Sequence, residues 1–251
     1  MRPPVLADVL HAALDSQKKP LALVLAGHNG SGKSTLWYER LAHDLRIPLI
    51  NADRLTASIL PSDMPEWAQK LRDSDQRWQR LSQEGIRAFK AIVMAERMPF
   101  AFETVFSHWR KRSDGTMESK HEDILEMQRS GYYVVLLFVG LANVALSELR
   151  VETRKQQGGH AVPTAKLRER FPRTQAAIRH AAPLADMTLM FDNSRDIEQA
   201  FTLVRAQQRG NLLFDIRDQA YASEGDHFPA LANYWMAPVA GEWPADAAGS
   251  A

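Results

Sequence analysis

The residues best equipped for chemistry form one short run, Gly27-His28-Asn29-Gly30-Ser31-Gly32-Lys33-Ser34-Thr35. Four residues separate Gly27 from Gly32-Lys33-Ser34, the spacing of a phosphate-binding loop. Glycines let the backbone curl until successive N–H groups point at phosphate oxygens, and a helix starting near Lys33 aims its positive end at the same anion. Lys33 reads as the cation that bridges the β- and γ-phosphates, and Ser34 as the Mg²⁺ ligand. A nucleoside triphosphate with Mg²⁺ is therefore the expected ligand of Gly27 to Thr35.

Transfer of a phosphoryl group needs more than a cradle. It needs a base near the acceptor hydroxyl and cations to neutralise the charge in flight. Asp53 follows the apolar run Ile47–Ile50, and Glu103 and Thr104 follow Phe100–Phe102. Acidic residues at the carboxyl ends of strands lie where open α/β sheets collect ligands. Asp53 reads as the base, or else as a cap on the helix that follows it. Glu103 and Thr104 read as contacts to substrate or, through water, to Mg²⁺. Arg150, Arg154, Arg168, Arg170 and Arg173 flank Gly158-Gly159, a pattern expected of a hinged, arginine-bearing lid, with His160 as a hinge contact. Three readings compete on these residues: a small-molecule kinase, an ATPase or nucleotide-driven switch, and a polynucleotide or nucleoside kinase. No Asn-Lys-x-Asp guanine reader is present, and the strand ending at Val139 leads into Gly140 rather than an acidic pair. The kinase reading accounts for more of the chain.

Five elements must hold these side chains. Leu21–Ala26, Ile47–Ile50, Phe100–Thr104, Tyr132–Val139 and Met187–Phe191 are apolar runs of strand length separated by helical periods, which predicts a parallel sheet covered on both faces. A long amphipathic helix is expected from Trp78 to about Arg97, and a basic, solvated loop over Ser107–Ser119. Val5 to Leu14 has a helical apolar period suited to docking on the core. Residues 1–20 thus read as an N-terminal helix, 21–210 as the main domain with a lid over about 143–180, and 211–251 as an irregular extension. The formal net charge is only +1, so no global field favours nucleic acid or anionic lipid, and neither is an expected partner. The absence of cysteine excludes disulfides, thiol nucleophiles and zinc–thiolate sites. With no membrane-length apolar run, the expectation is a soluble, cytoplasmic protein.

Taken in order, Ala26–Thr35, Ile50-Asn-Ala-Asp53, Phe102-Glu-Thr104 with Ser107, Gly131–Gly140, Arg150-x-x-x-Arg154, Gly158-Gly-His-x-Val-Pro163 and Phe191-Asp-Asn-Ser194 resemble the zeta toxin family of P-loop kinases. The resemblance implies a three-layer P-loop kinase fold, with a five-stranded parallel sheet in the order 2-3-1-4-5 and a helical lid. It also implies transfer of the ATP γ-phosphate to a hydroxyl of a sugar nucleotide such as UDP-N-acetylglucosamine, and an antitoxin protein as partner. By position it makes Asp53 the base, puts Lys33 and Ser34 on phosphate and Mg²⁺, sets Glu103 on the acceptor and gives Arg154 and Arg168 the transferred charge. Arg170 joins them as a catalytic candidate, and Thr104, Ser107, Arg150 and His160 as substrate contacts. Val105 and Ser107 stand where the cell-wall-toxin members have the Thr and Arg that grip the sugar nucleotide, and Glu169 where relatives tend to have another Arg.

Overall fold

The computed structural model describes residues 19–159, 162–218 and 227–241. The helix expected over Val5–Leu14 and the hinge contact His160 lie outside them. A seven-stranded sheet forms the centre: β1 (Leu21–Gly27), β2 (Leu49–Ile50), β3 (Phe100–Thr104), β6 (Tyr133–Gly140), β7 (Met187–Asp192), β8 (Thr202–Gln208) and β9 (Asn211–Asp215). Their order across the sheet is β2-β3-β1-β6-β7-β8-β9. The first five run parallel and match the five expected strands, and β8 and β9 extend the β7 edge antiparallel. The expected sheet of five is thus corrected to seven. The cause is a hairpin whose turn, Arg209-Gly210, places Arg209 at φ +53°.

β1 and β6 are buried along their whole length, as strands covered on both faces must be. Alternate residues divide between two cores. Ala22, Val24 and Ala26 face one side with Val134, Leu136 and Phe138, and Leu23 and Leu25 face the other with Val135 and Leu137. The second side is covered by α1 (Lys33–Leu36), a π-helical turn (Trp37–Leu41) and α2 (Ala42–Leu45), through Leu36, Trp37 and Leu41. Around the first side and the sheet ends run α3 (Ala52–Ala57), α4 (Glu66–Ser74), α5 (Gln76–Ala95), α6 (His121–Arg129), α7 (Val144–Gln156), α8 (Thr164–Ala181) and α9 (Phe228–Ala240). α5, α6, α8 and α9 supply Ile86, Ile124, Ile178 and Trp235 to that core.

Two further expectations change. Within Ser107–Ser119 the chain forms an antiparallel hairpin, β4 (Trp109–Lys111) with β5 (Met117–Ser119), rather than an unstructured loop. Residues 211–215 and 228–240, expected to be irregular, are β9 and α9. Among the described residues no helix is long and apolar enough to cross a membrane.

Candidate active site

The loop after β1 is held in a shape that only glycine permits at three points. A Cβ on Gly27 would stand 2.6 Å from the Val139 carbonyl oxygen, and one on Gly32 would stand 2.5 Å from Asn193 Nδ2. Gly30 and Gly32 have φ of +70° and +88°, the left-handed region that costs side chains energy. Neighbours fix the curl: Asn193 Nδ2 donates to the Ser31 carbonyl at 2.9 Å, and Ser147 Oγ donates to the Asn29 carbonyl at 2.7 Å. Lys33 folds over the loop, its ammonium donating to the carbonyls of Gly27 at 3.0 Å and His28 at 2.9 Å. Burial pushes the Lys33 pKa below its ordinary value. The Glu103 carboxylate opposes that shift, Arg154 adds to it, and Asp53 opposes it again. Ser31 Oγ is buried with no hydrogen-bond partner among the described residues, so one donor in the cradle is unspent.

His28 is also buried, its ring stacked on Phe171 with centroids 3.8 Å apart. Burial, and then the charge of Lys33, lower its pKa to about 3. The ring is therefore neutral near pH 7, and its stack on Phe171 makes it part of the loop's packing.

Glu103 reaches the loop because it lies one residue short of the end of β3, where the register pairs it with Leu25 of β1. Ser34 Oγ lies 3.1 Å from both Glu103 carboxylate oxygens, and Asn51 Nδ2 donates to Glu103 Oε2 at 2.6 Å. Asn51 Oδ1 accepts the Arg54 N–H at 3.1 Å and so caps α3. The cap reading of Asp53 is therefore not what the helix uses: Asp53 lies in the first turn, exposed, at the cleft. Beyond it, the Thr104 hydroxyl accepts the Phe106 N–H at 3.1 Å. Phe106 is buried at φ +61°, a conformation that is strained for a bulky residue. Thr174 Oγ1 donates to the adjoining Val105 carbonyl and pins the same bend.

These groups line one cleft of about 620 Å³, within the usual range for a small-molecule site. Asn29, Gly30, Lys33 and Ser34 line it together with Asp53, Glu103, Thr104, Ser107, Arg154 and Arg170. Burial lowers the Arg170 pKa and Arg173 adds to this, against attraction from Asp53. Arg168 is absent from the lining; its guanidinium is paired with Glu148 at 2.6 and 3.2 Å. Arg150 is half-buried beneath the loop, where a Cβ on Gly30 would touch its own Cβ. Thr35 points to solvent on α1. Sequence reasoning assigned no role to Asn51, Asn193 or Ser147. Asn51 was legible as the Asn of an Asn-x-x helix start, but Asn193 and Ser147 act through contacts more than 100 residues distant. Arg72 on α4 pairs with Asp73 and reaches the Gly158 and Gly159 carbonyls at 3.3 and 3.4 Å, tying α4 to the turn between α7 and α8.

Among the described residues no group of three or more His, Asp or Glu is disposed to hold a metal. The hydroxyl and single carboxylate of Ser34 and Glu103 suit Mg²⁺, which keeps most of its waters and takes few protein oxygens.

Comparison with known proteins follows the same direction. The family model described as Zeta toxin matches residues 7–199. A structure from the PezAT chromosomal toxin-antitoxin system of Streptococcus pneumoniae superposes with a TM-score of 0.56 at 12% identity, covering 98% of this chain and 92% of that one. The AvrRxo1-ORF1:ORF2 complex gives 0.58 at 14% identity, with 97% and 82% covered. The same complex with ATP gives 0.56 at 14%, with 81% of this chain and 63% of that one covered. At these identities the likeness establishes a shared fold. No curated protein matches the sequence.

Proposed function

The chain belongs to the zeta toxin family, and from that premise we propose that it is an ATP-dependent phosphotransferase. It moves the γ-phosphate to a hydroxyl of a small molecule, a sugar nucleotide such as UDP-N-acetylglucosamine or a related metabolite. One observation carries this reading: Lys33, Ser34, Glu103 and Asp53 line a single cleft, with Asn51 as the α3 cap so that the Asp53 carboxylate is spared that duty. An ATP-bound relative of the same fold supports the donor. Toxin–antitoxin neighbours support a toxin role and an antitoxin partner.

Lys33 and the loop N–H groups hold the triphosphate, and Ser34 with Glu103 would hold Mg²⁺, which neutralises phosphate charge when bound. Asp53 accepts the proton of the acceptor hydroxyl as its oxygen forms a bond to the γ-phosphorus. The bond from that phosphorus to the β-phosphate oxygen breaks, and ADP leaves with the electron pair. Arg154 and Arg170 stabilise the equatorial oxygens as charge moves across.

Asp53→Asn keeps the shape but cannot take the proton. General-base catalysis contributes roughly 10²–10⁴-fold, so this variant is expected to bind ATP with near-native affinity and turn over at least about a hundredfold more slowly. Retention of most activity would remove Asp53 from the mechanism.

A further inference from the structure

Among the described residues seven lysines and arginines line the cleft against three carboxylates, Asp53, Asp73 and Glu103, although the whole sequence carries only +1. One of the seven, Arg72, has most of its donors engaged by the protein itself. Its Nε and Nη2 meet the two oxygens of Asp73 at 2.7 and 3.2 Å. Nη1 donates to the Gly158 carbonyl at 3.3 Å, and Nη2 donates to the Gly159 carbonyl at 3.4 Å. A guanidinium has five N–H groups, so at most one is left for a ligand. The side chain is only 11% exposed. Arg72 is placed to hold the chain rather than a substrate.

What it holds is the end of α7. There the Gly159 N–H donates to the Arg154 carbonyl at 2.9 Å and the Gly158 N–H to the Lys155 carbonyl at 3.0 Å. These are the two bonds of a Schellman cap, and Gly158 at φ +81° has the left-handed backbone that the cap requires. The carbonyls of Gly158 and Gly159 lie at the negative end of the helix, where a fixed cation is favoured. Arg154 rests on the same turn: a Cβ on Gly159 would stand 2.5 Å from Arg154 Cγ. The stem of Arg154 thus lies against backbone that Arg72 grips from α4, 82 residues earlier in the chain. Arg72, Asp73 and Arg154 all line the cleft.

We propose that Arg72 is a positioning residue for phosphoryl transfer, which fixes the Gly158–Gly159 turn and through it sets where the Arg154 guanidinium stands. The role of Arg154 in transfer rests on the kinase reading; the grip on the turn does not. Asp73 orients the Arg72 guanidinium by holding two of its edges, so the clasp comprises a carboxylate, a guanidinium and two backbone carbonyls. Because Arg72 acts on the arginine and not on the phosphate loop, its loss falls on turnover and spares ATP binding.

The test uses the full chain and the variants Arg72→Ala, Arg72→Lys, Arg154→Ala and Arg72→Ala/Arg154→Ala. Transfer from ATP to UDP-N-acetylglucosamine is followed, with a metabolite extract as acceptor if that sugar nucleotide is not phosphorylated. Arg72→Ala should lower kcat about tenfold or more, as a misplaced charge-stabilising group does, and leave the KM for ATP within about threefold. Arg72→Lys should recover only part of the loss, since one ammonium cannot span Asp73 and both carbonyls. The double variant should be no slower than Arg154→Ala, because a residue that acts only through Arg154 then has nothing to position. Amide hydrogen exchange at Gly158 and Gly159 should quicken about tenfold or more in Arg72→Ala, with β1 unchanged, as local opening predicts. The assignment is overturned if that exchange is unaltered, if Arg72→Ala keeps wild-type kcat, or if the two single losses multiply in the double variant. No transfer by the wild type to either acceptor, beside Arg72-dependent exchange, would sink the kinase reading and leave the clasp standing. Transfer that is indifferent to Arg72 would do the reverse.

Discussion

Arg168 and Arg170 are two positions apart on α8, about 200° around a helix, so only one of them can face the cleft. Arg170 lines it, and Arg168 is engaged by Glu148. The resemblance marked Arg168 for transferred charge, but the helix phase that decides between the pair depends on which face of α8 docks. Arg170→Ala is therefore expected to reduce turnover about a hundredfold or more, in line with the loss of a charge-stabilising group, and Arg168→Ala to stay within about threefold, both read in a steady-state kinase assay. His28 shows the opposite kind of illegibility. The motif identifies its position and says nothing of the stack on Phe171 that buries it. With its pKa lowered to about 3 when folded and near 6.5 when unfolded, the unfolded chain binds the extra proton between those values. Stability from this group is intact above pH 6.5 and falls as pH drops toward 3, by about 2 kcal/mol at pH 5. Urea melts of wild type and His28→Phe between pH 7 and pH 5 check this, because the variant should lose less stability over that interval. Parallel curves would contradict the buried neutral histidine.

At the scale of elements, the parallel strands were legible because doubly covered strands are continuous apolar runs, and β1 and β6 are of that kind. The edge hairpin β8–β9 and the helix α9 were not. α9 is apolar around most of its circumference and contains Pro229 and Pro238, which argue against a helix when read locally. Pro229 falls in the first turn, where its missing N–H is not needed, and Pro238 comes in the last. Tertiary contact explains the rest. Trp235 is fully buried, donates its indole N–H to Asp192 Oδ2 at 2.7 Å and fills the space over Gly140, where a Cβ would approach its ring to 2.6 Å. Asp192 also accepts the Ser194 N–H and hydroxyl, ordering the strand end from which Asn193 grips the phosphate loop. Trp235→Ala should cost about 3–5 kcal/mol of unfolding free energy, measured by denaturant titration, and should weaken ATP binding even where the protein stays folded. A loss below about 1 kcal/mol would show that α9 is dispensable to the core.

For the whole molecule, the carboxyl ends of β1, β2, β3, β6 and β7 meet at one edge of the sheet, and the chemistry collects there from segments up to about 140 residues apart between Gly27 and Arg170. The composition could not announce the result, since a near-neutral chain conceals a strongly cationic cleft. What the sequence could carry was the order of strand-end residues; what it could not carry was which side chains pair with one another once those ends converge. The account stands or falls on the fate of the γ-phosphate. The decisive measurement is mass spectrometry of a small-molecule metabolite extract incubated with the protein, Mg²⁺ and γ-labelled ATP, beside a folded Lys33→Ala control. A labelled, phosphorylated metabolite that appears only with the Lys33 protein is the predicted result. Label found solely in free phosphate, released faster when a macromolecular partner is added, would contradict it and make the protein a nucleotide-driven switch.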